Sequence, residues 1–259
     1  MGIDINAIRK KLAQISGKNN RTNVMWRPQE GEETTIRILA FPNNDGQPFK
    51  ELYFYYNIGN NPGLLAPYQY QKPDPIQELI SKLREDGSKE SYEMAKKLYP
   101  KMRVYAAVVV RGEEDKGVQL WGFGKLVYQK LLGIMLDEDY GDITDPKTGR
   151  DIKVICSKPP GQQWAKTEIL PRGRSTKLSD DTKQAKEWMT NIPDIKGIFK
   201  TKSYDELSKI VNDWLNGDNE DDEGTEKFGA SSDDDDTPKS GGGGKSYNDL
   251  DDAFADLMS

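Results

Sequence analysis

The stretch Met102–Arg111, MRVYAAVVVR, is the clearest structural signal in the chain. An apolar, valine-rich run of this length that ends at turn-forming residues is typical of a buried β-strand. The charged residues Glu113–Lys116 follow it, and Val118–Phe123 (VQLWGF) then returns as a second apolar run. We therefore predict an antiparallel hairpin in the middle of a sheet.

Further strand patterns lie on both sides of this hairpin. Thr34–Phe41 alternates between the two faces, and the aromatic run Phe49–Ile58 follows the turn-forming residues Pro42–Gly46. Strong turn residues between two such runs predict a second antiparallel hairpin. Ile152–Ser157 and Thr167–Leu170 are predicted as two more strands.

Helical patterns separate and follow the strands. Asp74 precedes Pro75 as a helix N-cap would, and Ser203–Glu206 has the sequence of a capping box. The predicted helices span residues 75–85, 89–98, 125–136, 182–190 and 203–215. Strands with inserted helices predict an α+β fold whose core, residues 23–217, is a partly open OB-type β-barrel with a helical subdomain at about residues 60–100.

Charge divides the chain into a basic body and an acidic tail. The formal net charge is −6, yet residues 218–259 contain 14 Asp or Glu and only three Lys or Arg. Residues 1–217 therefore carry a net charge of +5 and the tail one of −11. The tail is too polar to bury a core, which predicts disorder.

Residues 247–258 at the end of this tail place apolar side chains at helical spacing among aspartates. This pattern predicts a segment that folds on a partner protein. The residues assigned to docking are Leu250, Asp251, Asp252, Phe254 and Leu257.

The N-terminal segment, residues 1–22, is a basic arm with an amphipathic pattern. Apolar residues recur at helical spacing from Ile5 to Ile15, with Arg9, Lys10 and Lys11 between them. Such a helix packs on the body through its apolar stripe, or it contacts a neighbouring protein or the DNA backbone.

Composition excludes several classes of function. The chain has no histidine and one cysteine, Cys156, so a Ser-His-Asp or Cys-His mechanism, a His/Cys zinc site and an intrachain disulfide are all ruled out. The sequence contains no run of about 18–20 apolar residues, which is the length that a helix needs to span a bilayer. A magnesium-dependent nuclease is disfavoured because its densest carboxylate cluster, Asp233–Asp236, lies in the predicted disordered tail. We therefore expect no enzymatic activity and no cofactor. The alternative to a nucleic-acid-binding function is an interaction scaffold whose acidic tail mimics nucleic acid.

Aromatic and cationic residues alternate repeatedly through the body. Bases stack on aromatic rings while Lys and Arg neutralise phosphates, and this combination binds single strands without reading their sequence. The interleaved residues are Tyr92, Lys97, Tyr99, Lys101, Arg103, Tyr105, Trp121, Lys125 and Trp164, with Lys158, Lys166, Arg172, Arg174 and Lys177 around the last of them. Single-stranded DNA is the expected partner.

Several motifs, in order, resemble the single-stranded DNA-binding (helix-destabilising) proteins of T-even-type bacteriophages. They are Thr35–Leu39 with Asn43–Phe49, Val104–Val110, Gly122–Lys125, Phe199–Leu207 and Asp249–Asp252. The resemblance implies an OB-type core, cooperative binding of copies along the strand through the basic arm, and recruitment of replication and recombination proteins by the acidic tail. It also implies a DNA groove lined by Arg37, Lys101, Tyr105, Trp121 and Trp164. The implied role is in phage DNA replication, recombination and repair, and the implied location is the cytoplasm of the infected bacterial host.

One region departs from this family. The best-known member holds a structural zinc with one His and three Cys, whereas the matching residues Pro67–Ile80 (PYQYQKPDPIQELI) contain no such ligand. We expect this region to fold without a metal, held by the Asp74 cap and by an apolar face of Ile76, Leu79 and Ile80.

Overall fold

The computed structural model describes residues 24–42, 44, 47–162 and 164–216, which fall into two compact units. Unit 1 comprises residues 24–51 and 104–198, and unit 2 comprises residues 52–103 and 199–216. The predicted basic arm with Arg9, Lys10 and Lys11 and the predicted tail motif at 247–258 lie outside the described residues.

The fold is of the α+β class, as predicted, with an open sheet. Its strands are β1 (Met25–Trp26), β2 (Glu33–Leu39), β3 (Phe49–Tyr55), β4 (Leu64–Leu65), β5 (Lys101–Val110), β6 (Val118–Phe123), β7 (Asp151–Ser157) and β8 (Lys166–Pro171). The main path runs β1-β6-β5-β2-β7-β8 and does not close on itself over the described residues. The predicted β5–β6 hairpin is confirmed, with Ala106 opposite Trp121.

The predicted hairpin between β2 and β3 is wrong. β2 pairs antiparallel with β5 on one side and with β7 on the other, so that Ile36 lies between Val110 and Ile152. β3 has other partners, β4 among them. The physical reason is that both edges of β2 are already paired: β5 and β7 satisfy the backbone groups of this buried strand on either side, which leaves no edge for β3.

The helices begin and end close to the predicted residues. They are α1 (Pro75–Asp86), α2 (Lys89–Leu98), α3 (Lys125–Leu136), α4 (Thr182–Thr190), α5 (Ile195–Ile198) and α6 (Tyr204–Leu215). Asp74 caps α1 as predicted, because its carboxylate accepts from the backbone N–H groups of Ile76 and Gln77. The Ser203 capping box of α6 is also confirmed.

Each unit has its own core. In unit 1 an aromatic cluster surrounds Trp121, whose ring centroid lies 5.5 Å from that of Trp26 and 4.5 Å from that of Phe123. In unit 2 the apolar faces of α1, α2 and α6 meet, with Leu79, Leu98 and Leu207 buried between them. Among the described residues no helix is both long and apolar enough to cross a membrane.

Candidate nucleic-acid interface

Residues 172–178 of unit 1 form a segment, here called the basic strap, that lies over one face of the sheet. Beneath it, the fully buried Arg37 donates from Nε to Asp151 Oδ1 at 3.0 Å and from Nη2 to Thr176 Oγ1 at 2.8 Å. Arg111 donates to both oxygens of the same Asp151 and to the carbonyl oxygen of Leu178 at 2.8 Å. One carboxylate thus balances two arginines that together hold the strap.

The Arg37 ion pair is charged despite its burial. Desolvation lowers the pKa of Arg37, while the adjacent Asp151 acts in the opposite direction. An arginine keeps its proton under such conditions because its ordinary pKa is so high. The guanidinium therefore serves as a fixed, multidentate donor beneath the strap.

A second anchor lies at the start of the strap. Arg150 donates to the carbonyl oxygens of Arg172 and Gly173 in the strap, and also to those of Asp139 and Tyr140 in the turn after α3. Backbone bonds add to this, with Arg172 N–H donating to Asp151 O and Leu178 N–H to Pro146 O. The strap backbone is held in place before any ligand arrives, and such preorganisation reduces the ordering cost of binding.

Gly149 allows this packing. A Cβ added at this position would lie 2.4 Å from the carbonyl oxygen of Asp145 and 2.5 Å from Arg37 Nη1. Only a residue without a side chain fits so close to the buried guanidinium. The glycine is therefore required by the anchor of the strap.

The outer side of the strap and the neighbouring β7–β8 loop are cationic. Residues 158–177 contain five Lys or Arg and one acidic residue, Glu168. Arg172, Arg174 and Lys177 are exposed, although Arg172 also donates to Thr35 Oγ1 at 3.2 Å. Trp164 in the β7–β8 loop is 46% exposed, so part of its ring is available to stack on a base.

Unit 2 carries a second surface of the same chemistry on α2. Lys89, Tyr92 and Lys96 lie at the spacing of one helix face, Tyr99 follows directly after the helix, and all four are exposed. Tyr92 is 56% exposed and Tyr99 37% exposed. Two rings between cations are the arrangement that binds the bases and phosphates of a single strand.

The structure divides the predicted contact residues into three groups. Tyr92, Lys97, Tyr99, Lys125 and Trp164 are exposed, and Lys101 and Arg103 are half-buried. Arg37, Tyr105 and Trp121 are buried.

Burial contradicts the predicted groove roles of the third group. Trp121 is 1% exposed within the aromatic cluster, which leaves no ring face for a base. Tyr105 is 6% exposed, and its ring lies against Gly122, where an added Cβ would come within 2.8 Å of it. Arg37 is fully buried and donates to Asp151 and Thr176, so it positions the strap rather than contacting a phosphate.

Sequence reasoning missed the residues that hold the strap. Arg111, Arg150 and Asp151 show no distinctive spacing, and they meet only because β2, β5 and β7 are neighbours in the sheet. The one available signal was a charged residue, Arg37, between the apolar residues Ile36 and Ile38, because a buried charge requires a partner. No group of three or more metal-ligating His, Cys, Asp or Glu side chains occurs in the described part of the chain.

An α+β body with two exposed surfaces that combine cations and aromatic rings defines a nucleic-acid-binding protein. A model of the family described as gp32 DNA binding protein like matches residues 29–214. The chain belongs to this family, and it is a single-stranded DNA-binding protein of the gp32 type. A search of curated proteins finds no match.

Proposed function

We propose that this protein coats single-stranded DNA without sequence preference during phage DNA replication, recombination and repair, in the cytoplasm of an infected bacterium. The observation that carries the proposal is the basic strap, whose three exposed cations are held by a network of the buried Arg37 with the partly buried Arg111 and Asp151. A rigid row of cations recognises phosphates but reads no base edge, and exposed rings such as Trp164 stack on any base. Both features favour sequence-tolerant binding.

The proposed contact set follows from exposure. It includes Trp164, Lys158, Lys166, Arg172, Arg174 and Lys177 in unit 1, and Lys89, Tyr92, Lys96, Lys97 and Tyr99 in unit 2. Lys125 is added as an exposed cation, and Lys101 and Arg103 are added as half-buried ones. The open sheet is compatible with the predicted OB-type barrel.

The strap can be tested by its salt dependence. Changing Arg172, Arg174 and Lys177 together to Gln removes three phosphate contacts, and each contact to a single strand contributes about 0.7 to the slope of log K against log salt. We expect the slope to fall by about two and the affinity for oligo-dT to drop. Lys183→Gln, Lys186→Gln and Lys196→Gln remove the same charge from exposed positions of unit 1 outside the strap, and should leave the slope nearly unchanged. Equal effects of the two triple variants would show that only net charge matters and would remove the strap from the proposal.

The acidic tail has two proposed roles. With a net charge of −11 it competes with DNA for the cationic surfaces, so a chain ending near residue 217 should bind single strands more tightly, most clearly at low salt. The terminal motif with Leu250, Phe254 and Leu257 is proposed to dock on replication and recombination proteins. A truncated chain without preference for single-stranded over double-stranded DNA would contradict the proposed function, and one that binds no DNA at all would favour the scaffold alternative.

The protein is also proposed to associate with itself along the strand through the basic arm at residues 1–22. The first 23 residues contain five Lys or Arg and one Asp, which is a net of +4 out of the +5 carried by residues 1–217. The two folded units are therefore close to neutral overall. The arm thus carries a higher net charge than the two folded units together, which supports an electrostatic contact with an acidic surface.

A further inference from the structure

Asp74 joins three segments of unit 2 through one buried carboxylate. Its Oδ2 accepts hydrogen bonds from the Tyr55 hydroxyl on β3 and from the Tyr68 N–H in the single 3-10 turn that precedes α1. Its Oδ1 accepts from the N–H groups of Ile76 and Gln77 in the first turn of α1. This carboxylate with its four donors is called the Asp74 hub. It ties β3, the turn and α1 to a single point inside the unit.

The hub lies in the region where the resemblance to the phage proteins implies a zinc ion. Zinc takes lone pairs from Cys, His, Asp or Glu side chains. A carboxylate has about four lone-pair sites, and the four donors of the hub occupy those of Asp74. Tyr55 does not supply a ligand either, because burial and the adjacent carboxylate raise its pKa and the hydroxyl keeps its proton. The hub therefore has no lone pair left for a cation.

Gln69 fixes the same turn to β3 at a second point. Its Nε2 donates to the carbonyl oxygens of Tyr53 at 3.0 Å and Ala66 at 2.8 Å, and its Oε1 accepts from the Tyr53 N–H at 3.3 Å. The side-chain amide thus bonds both backbone groups of Tyr53, as a neighbouring strand would. The turn is held by two side chains, and each already uses its oxygen as an acceptor.

The remaining groups of unit 2 do not complete a zinc site. Between residues 55 and 80 the one carboxylate besides Asp74 is Glu78, which is exposed and accepts from the Tyr204 hydroxyl at 2.8 Å. Neither Cys nor His occurs in the two stretches of chain, 52–103 and 199–216, that make up the described unit. This set of donors does not fit a structural zinc.

We propose that the Asp74 hub takes the place of a structural metal, so that unit 2 folds and binds single-stranded DNA without zinc. A structural zinc stabilises a small domain by joining ligands from separate stretches of chain to one centre. The hub has the same connectivity, with hydrogen-bond donors in place of metal ligands. This inference goes beyond the proposed function, which would stand with or without a metal.

The hub acts on the DNA-binding side of unit 2 through α1 and α2. Apolar residues of the two helices, among them Leu79 and Leu98, share one core. The exposed face of α2 carries Tyr92 between Lys89 and Lys96. Fixing the start of α1 therefore helps to fix α2 and the side chains that we assign to DNA. A chelator has no target along this route.

Metal content is the first test. The full-length protein is expressed with zinc in the medium, dialysed against metal-free buffer and analysed by inductively coupled plasma mass spectrometry. Dialysis also removes ions held loosely by the aspartates of residues 218–259. We expect far less than one zinc per chain. One zinc per chain that survives dialysis would overturn the inference.

Chelation is the second test, and it is combined with Asp74→Ala. Tm and the affinity for oligo-dT are measured before and after incubation with phenanthroline or EDTA. For the unaltered protein we expect no shift of Tm and less than a twofold change in affinity, because a unit without a metal loses nothing to a chelator. Asp74→Ala should lower Tm by the same amount in both buffers. If the chelator lowers the Tm of the unaltered protein but not that of Asp74→Ala, Asp74 is a metal ligand and the inference is wrong.

Two milder variants keep the test decisive if Asp74→Ala fails to fold. Asp74→Asn keeps an oxygen that can cap α1, and Tyr55→Phe removes one donor of the hub. Each should lower Tm by an amount that neither zinc nor a chelator alters. Glu85→Ala, at an exposed carboxylate of α1, is the matched control and should leave Tm nearly unchanged in both buffers.

The outcomes for the metal and for DNA binding are separate. A rise in Tm when zinc is added to Asp74→Asn or Tyr55→Phe, with none in Glu85→Ala, would overturn the inference and leave the proposed function intact. Failure of the unaltered protein to bind oligo-dT in either buffer would overturn the proposed function, while a Tm that resists chelation would still support the hub.

Discussion

Asp74 offers the sharpest test of how unit 2 is held together, because one buried carboxylate satisfies four donors. Oδ1 accepts from Ile76 N–H at 3.1 Å and from Gln77 N–H at 3.3 Å, which caps α1. Oδ2 accepts from the Tyr55 hydroxyl at 2.8 Å and from Tyr68 N–H at 3.2 Å. Asp74 is 4% exposed and Tyr55 1% exposed, so water cannot replace the lost partners.

The magnitude of an Asp74→Ala change follows from these contacts. Loss of an N-cap costs about 0.5–2 kcal/mol. A buried hydroxyl left without a partner costs about 1–3 kcal/mol more. We therefore expect Asp74→Ala to lower the free energy of unfolding by about 1.5–5 kcal/mol. Asp74→Asn should cost less, because its amide oxygen can still cap α1 while the side chain loses its charge and one acceptor.

The assay is urea unfolding of the full-length protein at neutral pH, followed by circular dichroism. Asp74→Ala, Tyr55→Phe and the double variant form a cycle in which the two single effects should sum to more than the double effect, because both remove the same hydrogen bond. Tyr55→Phe alone should be milder, since Asp74 keeps its backbone donors. If Asp74→Ala costs less than about 1 kcal/mol, or if the two changes are additive, the view of Asp74 as the organising centre of this region is refuted.

Four further predictions concern pH, base stacking, the aromatic core and the strap. Burial, with Asp74 nearby, raises the pKa of Tyr55. As pH rises above about 10, the tyrosine therefore loses its proton in the unfolded chain before it does so in the folded one, and stability should fall. Tyr55→Phe should reduce this fall in urea titrations between pH 8 and 11. Trp164→Ala should weaken binding of oligo-dT by about 1–3 kcal/mol at unchanged Tm. Trp121→Ala should instead cost about 3–5 kcal/mol of unfolding free energy, because it empties the aromatic core. If Trp121→Ala weakened DNA binding as much as Trp164→Ala and did not destabilise the protein, Trp121 would have to be counted among the DNA contacts. Gly149→Ala should lower stability by about 1–3 kcal/mol in the same urea assay, because its methyl group would overlap the carbonyl oxygen of Asp145.

Helix termini were predictable because their signals are local. A capping residue makes its hydrogen bonds within three positions of itself, so Asp74 and Ser203 determine the start of α1 and α6 whatever surrounds them. The β5–β6 hairpin was predictable for a similar reason, since a short turn joins two apolar runs. The α+β class follows from these elements together.

Strand neighbours depended on more distant residues. β2 pairs with β5 and β7, which lie far along the sequence, and these two strands satisfy the backbone hydrogen-bonding groups along both of its edges. A local turn signal at Pro42–Gly46 carries no information about these distant partners. The hairpin error is therefore an error about strand pairing rather than about strand propensity.

The candidate site was likewise predictable in part from local sequence and in part only from contacts between distant residues. Alternating cations and aromatic residues in the sequence determined the kind of ligand, because base stacking and phosphate neutralisation need those side chains in any fold. Only the tertiary structure decided which of them are available. It buried Trp121 and Arg37 and left Trp164 and Tyr92 exposed. Exposure depends on what packs above a strand, and those atoms come from parts of the chain that no local pattern specifies.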